Sequence, residues 1–170
     1  ELASPDESSW PMYNGRFKGQ RYSTLDQINT TNASKLVPQC IFQLGEVGSF
    51  QTSPIVYRGL LYVTTAYGTY AVDAKSCAKH WSYSYLGDSV PPLPGNRGAA
   101  IYRGKLFRVT PNGHLLALDA VTGKLLWDVW VADDRLGYWL AGAPVAYDGR
   151  IFIGEGGADW GVNGHVYAFD

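Results

Sequence analysis

The chain has 170 residues, 46% hydrophobic, 17% charged and 14% aromatic, a composition that buries a core and excludes intrinsic disorder. Fourteen Lys and Arg against fifteen Asp and Glu leave a formal charge of −1, which gives neither nucleic acid nor an anionic membrane surface an electrostatic hold. Apolar runs are strand-sized, well short of the roughly 20 residues of a membrane-spanning helix. Residue 1 is Glu rather than Met, so a processed or excised chain is expected. Twenty Gly, nine Pro, twelve Tyr and six Trp point to many short strands and turns, with helices scarce.

In chain order, residues 1–36 form a polar, turn-rich N-terminal segment, and 37–170 a second region that opens on an expected strand at 39–44 (QCIFQL). Three stretches then align: Ser53 to Trp81, Gly98 to Trp127 and Gly142 to Asp170. Tyr57, Tyr102 and Tyr147 recur every 45 residues, a period in the range of propeller blades. Each Tyr precedes a two-residue turn, Arg58-Gly59, Arg103-Gly104 or Asp148-Gly149, suited to a tight hairpin with positive φ. The first unit predicts strands A to D at 54–57, 60–64, 69–73 and 80–85, and the second at 99–102, 106–109, 115–119 and 125–131. The third predicts A, B and C at 144–147, 151–154 and 166–170, with no D.

A four-stranded antiparallel sheet repeated about an axis is a propeller blade; a β-sandwich has a similar strand count, and the strict period favours the propeller. The expected fold is therefore all-β, a partial propeller with blades at 53–85 and 98–131 and an incomplete blade at 142–170. Each blade buries its faces only against neighbours, so the chain is expected to be a fragment. The lone strand at 39–44 is expected to complete the last blade of a closed ring.

Antiparallel order also shows which loops meet. The loop leading into strand A and the loop joining B to C lie at the same end of a sheet. Gln51, Arg97 and Ala141 stand just before successive A strands, and Gly156 to Asp159 lie between B and C of the third unit. All are expected on one face, where converging polar groups near an axis make a ligand site. Other readings of single residues are plainer. Trp81 and Trp127, at equivalent repeat positions, are packing units. Gly154-x-Gly156-Gly157 joins two strands and has no helix to hold a phosphate. His80, His114 and His165 fall at strand ends without zinc-ligand spacing, and nothing aligns a Ser-His-Asp triad.

Several motifs carry a family resemblance. Ala117-Leu118-Asp119-Ala120-Val121-Thr122-Gly123-Lys124-Leu125-Leu126-Trp127, echoed by Ala71-x-Asp73 with Trp81, resembles the tryptophan-docking motif of the eight-bladed quinoprotein dehydrogenases, which use pyrroloquinoline quinone (PQQ). Gly19 to Asn29 with Asn32 and Leu36, Asn96-Arg97-Gly98, and Gly154 to Gly164 are similar to segments of that family in the same order, from about Trp10 to Asp170. The resemblance implies that Gln51, Arg97, Ala141, Gly156, Gly157 and Ala158 line a PQQ pocket, with Asp159 as a carboxylate ligand to calcium or a lanthanide. A planar guanidinium suits the carboxylates and quinone oxygens of PQQ, and a hard cation requires oxygen ligands. The family usually has Glu at 51, Thr at 141, Ser at 156, Glu at 159 and adjacent cysteines where this chain has Pro91-Pro92. Its catalytic Asp lies beyond residue 170, so the segment alone is expected to be inert.

The implied activity is alcohol oxidation in the periplasm or outside the cell, with a small alcohol as substrate, a cytochrome c-type electron acceptor and further propeller blades as partners. The rival reading is a non-catalytic binding or scaffold propeller that kept the blades and lost the cofactor. In the docking pattern of the family, Cys40 occupies a Trp position and Cys77 a Gly position, which implies a Cys40–Cys77 disulfide in place of a stack; two free buried thiols are the alternative.

Overall fold

The computed structural model describes residues 8–87 and 94–170; Pro91-Pro92 lie outside the described residues. Among the described residues, eleven strands form three antiparallel sheets. The first holds β1 (Ile55–Tyr57), β2 (Leu60–Thr64), β3 (Gly68–Asp73) and β4 (Lys79–Ser84) in sequential order. The second repeats it with β5 (Ala100–Tyr102), β6 (Lys105–Val109), β7 (His114–Asp119) and β8 (Leu125–Trp130). The third has β9 (Val145–Tyr147), β10 (Arg150–Gly154) and β11 (Val166–Phe169) and no fourth strand among the described residues. Sheets of this size repeated around an axis make a partial propeller, as the period predicts.

Local chemistry explains the repetition. Arg58 and Gly59, Arg103 and Gly104, and Asp148 and Gly149 all have positive φ, the mirror-type turn whose twist matches its flanking strands. Arg58 and Arg103 lie over the rings of Tyr57 and Tyr102, which gives the Tyr a role in the first two blades; in the third, Tyr147 meets Phe17 instead. In the turn after β3, one oxygen of Asp73 accepts the amides of Lys75 and Ser76 and the Ser76 hydroxyl. Asp119 does the same after β7 with Val121 and Thr122. These bonds hold both carboxyls below their ordinary value. The ladders slip at the same place in both sheets, between Ala71 and Val72 and between Ala117 and Leu118.

The core lies between sheets rather than within them. Ile55, Tyr62, Ala71 and Trp81 of the first sheet pack against Ile101, Leu106, Leu118 and Ala120 of the second. A parallel cluster of Phe107, Val109, Leu115, Ala146, Ile151 and Ile153 joins the second to the third. Trp81 sits on Gly123, where an added Cβ would lie 2.5 Å from the ring, and its indole N–H donates to the Ala120 carbonyl at 3.1 Å. Tyr62 donates to the same carbonyl at 3.0 Å; burial, with that of neighbouring charges added, pushes its hydroxyl up to about 12.

The position in the first sheet that matches Gly123 is Cys77, also left-handed at φ 57°. It is disulfide-bonded to Cys40 with Cα atoms 5.7 Å apart, so neither cysteine is free. Residues 39–44, expected to complete the last blade of a closed ring, have no such blade beside them among the described residues. They form no strand, although exposure alternates along them from Gln39 to Leu44. A strand requires a ladder partner, and no described strand offers one; the disulfide anchors this segment instead. Upstream, Trp10 exchanges two main-chain bonds with Val56, Pro11 accepts from the Ile101 amide, and Phe17 packs edge-on against Tyr147. The N-terminal segment thus runs along the inner edges of β1, β5 and β9 near their A–B turns and covers edges that would otherwise be unpaired.

Candidate functional site

At the opposite end, where the chain leads into each A strand, consecutive blades are linked by single main-chain bonds. The Ser53 amide donates to the Arg97 carbonyl at 3.1 Å, and the Arg97 amide to the Ala141 carbonyl at 2.8 Å. Ser53 and Gly98 also form a parallel bridge. Gly98 has φ 133°, and a Cβ there would lie 3.0 Å from the Ser53 carbonyl, so glycine is what permits the approach. Gln51 lies beside Gly95, its amide oxygen 3.5 Å from where a Cβ would be. These contacts bring Gln51, Arg97 and Ala141 onto one rim. The Arg97 and Gln51 side chains are exposed, and Ala141 is half-buried.

The loop after β10 joins that rim through Trp139, two residues before Ala141. Gly156 and Trp139 form an antiparallel bridge in which the Gly156 amide donates to the Trp139 carbonyl at 2.8 Å. A Cβ at Gly156 would lie 2.8 Å from the Trp139 indole nitrogen. Trp139 also meets Trp160 edge-on, with ring centroids 4.3 Å apart. Gly157 is left-handed and closely covered by the Gly137 carbonyl and Val162. A single turn of 3-10 helix, Ala158–Trp160, then presents Asp159 to solvent. Gly156, Gly157, Ala158 and Asp159 therefore reach the rim as one tethered loop.

Beneath the rim lies a buried polar network. Asn96, 1% exposed, accepts the Gly98 amide at 2.9 Å and the Thr64 hydroxyl at 2.5 Å. Its own amide donates to the Val109 carbonyl at 2.8 Å, and Thr64 pairs with Thr52 at 2.9 Å. Arg108 is fully buried. Its guanidinium donates to the carbonyls of Thr65, Ala66, Gly68 and Val109 and to the Thr69 hydroxyl, at 2.6–3.2 Å. Burial pulls its pKa down to about 10, against the opposing attraction of Glu46. Glu46 itself accepts from the Tyr70 hydroxyl.

Beside the loop, Glu155 accepts from the Tyr167 hydroxyl at 2.5 Å, pairs with the His165 ring at 2.6 Å and accepts the His165 amide at 2.9 Å. Burial pushes its carboxyl up, but these bonds outweigh burial and hold it below its ordinary value. His114 pairs similarly with Asp128 at 2.6 Å. Both histidines are thus partnered by carboxylates, His114 across neighbouring strands and His165 across the ends of the loop between β10 and β11.

Chemically, the rim offers a guanidinium, a primary amide, a carboxylate and a stretch of backbone bare of large side chains. That set suits an anionic ligand, whose oxygens Arg97 can bind; the bare sides of Gly156 and Gly157 are taken by Trp139, the Gly137 carbonyl and Val162. A metal centre is only partly provided. Asp159 supplies one carboxylate, a hard cation takes six to eight oxygens, and the described residues contain no cluster of three or more His, Cys, Asp or Glu. Sequence reasoning reached the rim residues but missed Arg108, Trp139 and the Glu155 cluster. One signal was available for Arg108, a charge inside the apolar run Leu106-Phe107-Arg108-Val109.

Comparison with known proteins agrees with this architecture. The chain is 38% identical to the dehydrogenase subunit of the quinone alcohol dehydrogenase of Gluconobacter oxydans (strain 621H), over 95% of its own length and 23% of that protein. It is 36% identical to the lanthanide-dependent methanol dehydrogenase of Methylacidiphilum fumariolicum (strain SolV), over 97% of the chain and 28% of that protein. A europium-containing methanol dehydrogenase of known structure superposes with a TM-score of 0.91 at 36% identity, over 97% of this chain and 30% of that one. The chain thus spans about a quarter of the length of the curated relatives it matches. The profile of the PQQ-type glucose/ethanol/alcohol dehydrogenase β-propeller domain covers residues 10–129. With its repeated blades, docked tryptophan and glycine-lined rim, the chain belongs to that family of quinoprotein dehydrogenase propellers.

Proposed function

We propose that this chain supplies two blades and part of a third, from the N-terminal part of a PQQ-dependent dehydrogenase that oxidises alcohols with a calcium or lanthanide ion. The observation that carries the proposal is the Ser53–Arg97–Ala141 line of main-chain bonds, which gathers Gln51, Arg97 and Ala141 around one axis with the Gly156–Asp159 loop beside them. When bound, the quinone accepts the two electrons of the alcohol, and the cation acts as a Lewis acid. This chain's residues bind and orient. Arg97 holds anionic and carbonyl oxygens, the Gly156–Ala158 backbone forms a close-fitting wall, and Asp159 contributes one oxygen ligand. The base that takes the alcohol's proton, the remaining metal ligands and the rest of the ring come from outside residues 1–170.

We place the protein in an oxidising compartment, the periplasm or the cell exterior, a reading the Cys40–Cys77 disulfide supports. A cytochrome c-type acceptor is supported by the name of one relative, the 1-butanol dehydrogenase (cytochrome c) of Thauera butanivorans, to which the chain is 35% identical. The test uses the full-length protein with PQQ and either calcium or a lanthanide, following dye reduction on addition of primary alcohols. Alcohol-dependent reduction that Arg97→Gln lowers at least tenfold is expected. Absence of PQQ binding and of dye reduction with every alcohol and both metals would reject the enzyme and leave a scaffold propeller.

A further inference from the structure

Arg108 is the one described charged side chain in the fully buried core; Glu46 attracts it electrostatically, but no described carboxylate bonds to its guanidinium. Five donor contacts go to oxygens of neutral groups, an arrangement that keeps the charge satisfied without neutralising it. Burying an ion without a bonded counter-ion is expensive, and an apolar side chain here would fill the space between the two sheets at lower cost. The retained charge therefore calls for a role beyond packing.

Its contacts lead to the rim by two routes. Three of them, to Thr65, Ala66 and Gly68, grip the loop between β2 and β3, which begins at Thr64, the donor to Asn96. A fourth, from Nε, ends on the Val109 carbonyl, which also accepts from Asn96. Asn96 in turn fixes the Gly98 amide, so the residue between them, Arg97, is held from both sides. Blade 2 supplies the guanidinium and blade 1 most of its acceptors, so the angle between the two blades is fixed at the same point.

We propose that Arg108 is a positioning residue for the cofactor rim: its buried guanidinium, acting through Thr64, Asn96 and the Val109 carbonyl, sets the orientation in which Arg97 meets an anionic quinone. The proposal rests on the PQQ reading above, and the two can fail separately. Outer-shell partners of metal ligands are worth about 10- to 100-fold in affinity or activity, and an effect of that order is expected here.

The experiment uses the full-length protein with Arg108→Lys, which keeps the charge but cannot reproduce the planar set of donors, and Arg97→Gln, alone and combined. PQQ is titrated with excess calcium below the unfolding temperature of each variant. R108K is expected to weaken PQQ binding about tenfold or more in the native background, and less than about twofold when Arg97 is already Gln, because the two act in one line. A tenfold loss that persists in R97Q would show a general effect on the fold and overturn the proposal. A ligand-independent arm follows amide hydrogen exchange over residues 94–99. Exchange at Arg97 and Gly98 is expected to quicken about tenfold in R108K, while that of β10 and β11 stays as in the native protein. Unchanged exchange at 97 and 98 would also overturn it. If native protein binds no PQQ, the cofactor reading fails, and the exchange result alone decides whether Arg108 orders the rim.

Discussion

Removing the Cys40–Cys77 bridge tests how the N-terminal segment is held. The bond closes a separation of 37 residues, for which chain-entropy reasoning gives about 4 kcal/mol of stabilisation at 25 °C. At about 2–4 °C per kcal/mol for a domain of this size, C40A/C77A is expected to melt about 8–16 °C lower than the native protein. A second variant separates the bridge from the turn that carries it. Cys77 has φ 57°, a conformation that costs a non-glycine residue about 1–2 kcal/mol, and the matching residue of the next blade is Gly123. C40A/C77G is therefore expected to regain about 1 kcal/mol over C40A/C77A. Thermal unfolding by circular dichroism, with and without reductant, provides the assay. Double variants that melt with the native protein under oxidising conditions would refute the clasp; C77G melting below C77A would refute the account of the turn.

Two other outcomes follow from the rim. Gly156→Ser places a Cβ 2.8 Å from the Trp139 indole nitrogen, an overpacking expected to cost about 1–3 kcal/mol and to be relieved by adding Trp139→Ala; thermal melts that show no such rescue would contradict the contact. Glu155 has a folded-state pKa held below its ordinary 4.5, so its bonds stabilise the fold above that value and the contribution is lost as pH falls through the depressed one. Denaturant unfolding across the acid range is expected to show a steeper loss in native protein than in Glu155→Gln, and parallel profiles would count against the cluster.

The fold was legible because each blade repeats the same local instructions. Tyr-Arg-Gly or Tyr-Asp-Gly marks the A–B turn, an Asp marks the C–D turn, and alternating apolar residues mark the strands. Predicted and observed strand limits accordingly differ by no more than one residue at nearly every end. Residues 39–44 alternate in exposure but take no ladder partner here, because a strand also needs a neighbour and the last blade expected to receive them is not among the described residues. The rim residues were reachable from strand order alone, since order decides which loops share an end. The Asn96–Arg108 network was not, because it forms between blades, and the angle between neighbouring blades leaves no periodic trace in either. Trp139 escaped for a related reason: its fit depends on the missing side chain at Gly156, and an absent group has no pattern of its own.

The links from Ser53 to Arg97 to Ala141 join backbone to backbone, so the spacing of the blades around the opening they border is set by main-chain groups and by the missing side chain at Gly98. Side chains at 51, 97 and 141 hang from this frame without supporting it. Such a construction separates the size of the opening from its chemistry. Residues lining it can be exchanged over evolutionary time, altering which molecule is admitted, while the frame that carries them keeps its dimensions.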